Sequence, residues 1–148
     1  MKTIEVQQDL EAPIERVFAI FADHGGYGRF RGIKAAELTR EGTREKNGEG
    51  AQRKIELGSV TLWEDILAYE ENALIEYRIV KAKPNLIHHE LGRQRFERLP
   101  NGGTRVHWTS TFKFRIPVVG RFLEPRAAAQ FQQAFAVMLR TVEKMARA

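Results

Sequence analysis

His88 and Glu90 come nearest, by residue type and spacing, to a chemical function in this 148-residue chain. Two positions apart on a regular strand they face one side, with side-chain roots roughly 7 Å apart. Inside an apolar pocket a carboxylate raises the basicity of a nearby imidazole, which a general base for a cyclisation or dehydration needs. The plainer reading is that both side chains bond to neighbouring strands or stand in water at a cavity mouth. His89 points away from His88 on such a strand, so the adjacent pair does not chelate one metal. His24 and His107 add no HxH or HExxH spacing, and no metal site is expected. Glu64 is a second carboxylate, set in an otherwise apolar run. Facing inward, it would need a partner, and Arg53, Arg78 or a polar group of a ligand are the candidates. Gly26-Tyr27-Gly28 with Gly32 imitates a nucleotide loop, but it follows a helix and no parallel βαβ unit accompanies it. No serine lies in a GxSxG context. The chain has no cysteine, which removes disulfides, thiolate metal sites and thiol nucleophiles.

The elements that must position these groups follow from apolar period. Residues 4–10 alternate as a first strand. Ala12-Pro13 opens a helix, because proline suits the first helical position, and Ile14, Val17, Phe18 and Phe21 form one apolar face. Asp23-His24-Gly25-Gly26 ends it, and residues 27–31 read as a further short helical turn. From Lys34 the period becomes two, with strands at 36–40, 50–57, 60–69, 73–82, 86–99 and 104–115. The connections are too short for crossover helices, so neighbouring strands must be antiparallel. Pro117 and Gly120 punctuate the approach to a last helix over about residues 120 to 146, with Pro125 at its start or kinking it. Its stripe is Phe131, Phe135, Met138, Val142 and Met145.

The faces of the strands follow from alternation. Val106, Trp108, Ser110, Phe112 and Phe114 share the helix-facing side of the last strand. His88, Glu90, Gly92, Gln94 and Phe96 are expected on the same side of the strand before it, as are Ile75, Tyr77 and Ile79 in theirs. Over 60–69 two phases compete: Leu62, Glu64 and Ile66 against Trp63, Leu67 and Tyr69.

Length and composition bound the rest. The size suits one domain spanning 1–148, long enough to bury roughly two thirds of its unfolded surface. The N-terminus carries no apolar signal core, and no apolar run approaches the roughly 18 residues of a membrane span. A cytoplasmic protein without an integral membrane segment is expected. The net charge is +5 with a pI near 9.7, yet the basic residues are scattered among acidic ones. No nucleic-acid partner is expected from such a distribution.

The order β, α, α, six β, long α resembles the helix-grip fold of the START-like (SRPBCC) superfamily, which includes the polyketide cyclase/dehydrase-like proteins, the plant pathogenesis-related allergens of the Bet v 1 type and lipid-transfer domains. Ala12-Pro13-Ile14-Glu15-Arg16-Val17-Phe18 looks like the opening of its first helix. Trp63-Glu64-Asp65-Ile66 followed by Tyr77 looks like its fourth and fifth strands. Leu91-Gly92, Phe96 and Gly102-Gly103-Thr104-Arg105-Val106-His107-Trp108 look like its final hairpin. The implied architecture is α+β, a six- to seven-stranded antiparallel sheet wrapped around a long C-terminal helix. The implied function is binding of a hydrophobic or amphipathic small molecule (lipid, polyketide or quinone-like) between sheet and helix. Tyr77, Phe96, Trp108, Phe112 and Phe135 would line the hollow, and His88, Glu90 and Glu64 would orient a polar group. The alternative is an aromatase-type polyketide cyclase/dehydrase using His88 with Glu90. A third class is an interaction module using the same hollow for a partner protein or a quinone-bearing lipid. No cofactor is implied, and homodimerisation is left open.

Overall fold

A computed structural model describes residues 1–115 and 120–148, with side chains in the last segment from Pro125 onward. The chain runs β1 (Lys2–Leu10), α1 (Ile14–Ala22), a 3-10 turn (His24–Arg29), β2 (Ala35–Arg40), β3 (Gln52–Glu56), β4 (Thr61–Glu70), β5 (Leu74–Lys83), β6 (Ile87–Arg98), β7 (Thr104–Phe114) and α2 (Gly120–Arg147). The strands form one seven-stranded sheet in the order β1-β7-β6-β5-β4-β3-β2, every pair antiparallel. This is the α+β helix-grip arrangement expected from the change of period and the short turns. The β4–β5 turn is closed by Asn72 at φ 61°, a left-handed conformation that asparagine tolerates.

Pro13 precedes α1, whose Ile14, Val17, Phe18 and Phe21 are buried as their spacing requires. In α2 the buried line is displaced from the expected stripe. Ala128, Leu139, Val142 and Ala146 are its deepest residues, while Phe131, Phe135, Met138 and Met145 are half-buried beside them. The helix therefore presents Leu139 to the core, with the two methionines on its flanks. Pro125 lies inside α2 and is exposed, forgoing one backbone bond near the helix start. The expectation for Pro117 lies outside the described residues.

Three irregularities decide where side chains point. A bulge between His89 and Leu91 of β6 reverses the alternation on either side of Glu90. The β4–β5 ladder shifts at Trp63/Glu64 and again at Ile66/Ala68. Glu64 and Ile66 are buried on the concave face, and the second shift lets Tyr69 pack inward against Phe18 as well. Both competing phases of that strand are thus realised in turn, with Trp63 outside beneath Lys81. Finally, β5 and β6 pair only where Leu74–Tyr77 meets Gly92–Arg95. Beyond Tyr77 the backbone ladder stops, and side chains bridge the gap.

Candidate functional site: a polar band on the concave face

The concave face carries two apolar clusters. The larger joins α1, the strands and the C-terminal half of α2 through Phe18, Phe21, Phe96, Trp108 and Leu139. The smaller joins Ile4, Phe112 and Ala128, with Phe114, Phe131 and Phe135 against it. Phe135 touches both, and its ring lies flat on Trp108 at 3.8 Å between centroids and 7° between planes.

Between and beneath these clusters runs a band of polar groups. Tyr77, Gly92 and Ser110 stand in one register row across β5, β6 and β7. The Tyr77 ring covers Gly92, where any Cβ would collide with it. Its hydroxyl accepts a hydrogen bond from Trp108 Nε1 at 2.9 Å. His89 stacks on the same ring at 5.5 Å and 16°. The Ile79 amide donates to His89 Nδ1 at 3.0 Å, closing the gap where the β5–β6 ladder has stopped. That bond puts the imidazole proton on Nε2, which donates to Ser110 Oγ at 3.0 Å. Burial and the neighbouring charges of Arg78 and His88 lower the His89 pKa to about 4, so the ring is neutral at pH 7. Among the described residues, neither the Ser110 nor the Tyr77 hydroxyl hydrogen has an acceptor.

Gln94 lies one row further on, opposite Trp108 and Ile75. It is 1% exposed, and neither its Nε2 nor its Oε1 has a partner. A buried amide left so is rare, because each unmade bond retains its desolvation cost.

A second buried network fastens the β3–β4 end. Arg53 Nε donates to Glu64 Oε1 at 2.7 Å, with both side chains under a tenth exposed. Another guanidinium nitrogen donates to His24 Nδ1 at 3.1 Å, leaving His24 Nε2 to donate to the Asn47 carbonyl at 2.8 Å. The rings of Tyr27 and Tyr77 flank the guanidinium at 4.6 and 5.0 Å. Burial, with the Arg53 charge beside it, lowers the His24 pKa to about 3.

Of the residues singled out in the sequence, Tyr77, Phe96, Trp108 and Phe112 are buried on the concave face, and Phe135 reaches it from α2. Glu64 is there too, held by Arg53, one of its three expected partners. His88 and Glu90 are not. They pair at 3.7 Å on the outer face with side chains 40% and 59% exposed. The bulge at Glu90 turns His89 inward in their place, so the expected convergence of an imidazole and a carboxylate inside the hollow is overturned. Ser110 and Gln94 lie on the face their alternation assigns, but nothing in their residue type marked them as a site. His24 and His89 owe their burial to a 3-10 turn and a bulge, and neither has a periodic signature.

No curated protein sequence matches the chain. Solved structures do. A START superfamily protein from Mycobacterium smegmatis superposes with a TM-score of 0.79 at 14% identity, over 97% of this chain and 98% of that one. The Zhui aromatase/cyclase from a Streptomyces species gives a TM-score of 0.74 at 20% identity, over 99% and 93%. The major latex-like protein 151 of Panax ginseng gives 0.72 at 11% identity, over 98% and 97%. At these identities the likeness concerns the fold. The family described as polyketide cyclase / dehydrase and lipid transport matches residues 1–147, and the chain belongs to that family.

Proposed function

We propose that the protein binds an amphipathic small molecule against the concave face, its polar end among Gln94, Ser110 and Tyr77 and its apolar part along Phe112, Trp108 and Phe135. Gln94 carries this reading. Its amide is buried without a partner, and two hydroxyl hydrogens without acceptors lie in the neighbouring row. Together they offer four hydrogens to donate, two on the amide nitrogen and one on each hydroxyl, and one acceptor oxygen, which suits a ligand oxygen such as a carbonyl or hydroxyl. The aromatic walls suit an apolar body of the lipid, polyketide or quinone-like kind.

The cyclase alternative has less support. It relied on His88 and Glu90, which stand on the outer face. His89 replaces them inside, but its Nδ1 lone pair is taken by the Ile79 amide and its pKa near 4 makes it a weak base at neutral pH. Binding requires only the donors that are present.

Native mass spectrometry of the purified protein tests the reading, together with Gln94→Met and a titration with the dye anilinonaphthalene sulfonate. Methionine matches the volume of glutamine without its polar atoms, so the variant is expected to be more stable by about 1 kcal/mol. It should also lose any co-purified small molecule and bind the dye about as well as the wild type. A variant that is less stable and keeps the same co-purified molecule would show that the amide serves the fold alone.

A further inference from the structure

One end of the sheet differs from the other. There β3 turns into β4 and β5 into β6, and the start of β1 and the end of β7 finish beside them. Among the described residues, Leu57 at 40%, Leu86 at 41% and Val80 at 48% exposure lie toward this end, two of them in neighbouring turns. A single exposed leucine needs no explanation, but several at one end form a patch. Lysines surround them. The Lys34 amide bonds to the Glu56 carbonyl beside the β3–β4 turn. Lys83 stands opposite Thr61, and the Lys81 ammonium lies 4.6 Å above the Trp63 ring. All three lysines are exposed, and none has a carboxylate within ion-pair distance among the described residues. Glu56, next to Leu57, is already paired with Lys54 at 3.7 Å.

We propose that this end of the sheet docks reversibly on an anionic lipid bilayer. Leu57 and Leu86 sit at the boundary of headgroups and acyl chains, and Lys34, Lys81 and Lys83 lie against the phosphates. A nucleic acid is the poorer occupant, because exposed leucines offer it nothing and the Trp63 face is covered by lysine rather than free for stacking. The β5–β6 ladder is open at this same end, so a molecule leaving the bilayer would arrive beside His89 and the polar band. Docking itself needs no ligand, and it stands or fails apart from the binding reading above.

Vesicle sedimentation tests the proposal directly. The full chain is expected to bind vesicles of phosphatidylcholine with phosphatidylglycerol and to leave vesicles of pure phosphatidylcholine in solution. Leu57→Asp with Leu86→Asp, and separately Lys81→Glu with Lys83→Glu, should each weaken binding about tenfold or more. Arg44→Glu with Lys46→Glu, in the loop between β2 and β3, should leave it unchanged. Both turn positions are exposed, and an unaltered circular dichroism spectrum keeps folding apart from docking. No binding to the anionic vesicles overturns the proposal. So does equal weakening by the Arg44/Lys46 pair, which marks a general charge effect. Tighter binding to a DNA duplex that is insensitive to the leucine changes would likewise overturn it.

Discussion

At the scale of single residues, Gly92 and Tyr77 show how the site is shaped. A strand glycine costs conformational entropy, and here it buys close approach: the Tyr77 ring lies where a Cβ would stand. That placement lets the hydroxyl reach Trp108 and the ring face reach His89. Gly92→Ala should push the ring off the strand and destabilise the fold by about 1–3 kcal/mol. A urea midpoint equal to wild type would mean the ring does not rest there. Leu91-Gly92 and Tyr77 were visible in the sequence as parts of a resemblance, but the contact between them was not. His88 and Glu90 show the opposite. Their spacing carried a chemical meaning only while the strand was regular, and one bulge cancelled it.

At the scale of elements, the β3–β4 hairpin is fastened by charge rather than by apolar packing alone. Glu64 and Arg53 sit opposite one another on adjacent strands, and His24 ties the pair to the loop at Asn47. Removing one partner strands the other's charge in the interior, so Glu64→Ala should cost about 3–5 kcal/mol in chemical denaturation. Glu15→Ala should leave the midpoint near that of wild type, because its ion pair with Arg98 is exposed. Equal losses from the two would mean that the buried pair stabilises the fold no more than the exposed one. The need of Glu64 for a partner was legible in the sequence, since a carboxylate in an apolar run must be paired or turned outward. The choice among three arginine or ligand partners was settled only by register.

At the scale of the whole molecule, two buried histidines couple stability to pH. The folded pKa values of His24 and His89, about 3 and about 4, lie below the ordinary value of 6.5, chiefly because burial disfavours the charged ring. Below pH 6.5 the unfolded chain therefore takes up protons that the folded chain refuses. Their contribution is complete above pH 6.5 and declines as pH falls toward 4. Each ring adds a slope approaching about 1.4 kcal/mol per pH unit within that window. Urea unfolding at pH 7 and pH 5 should show the loss, and His24→Gln should make the profile shallower. A flat profile would mean that neither imidazole is buried neutral.

The sequence by itself determined the architecture. The shift from a helical period to a period of two, the short turns and the apolar stripe at the C-terminus leave little besides an antiparallel sheet against a long helix, because each is a local property of neighbouring residues. It also assigned the inward faces of β7 and most of β6, where alternation is unbroken. What tertiary structure alone decided is the chemistry of the interior. A bulge inverts side-chain direction without leaving a mark in composition, so His89 replaced His88. Whether a buried amide is satisfied depends on residues tens of positions away, so Gln94 became conspicuous only when β5, β6 and β7 were in register.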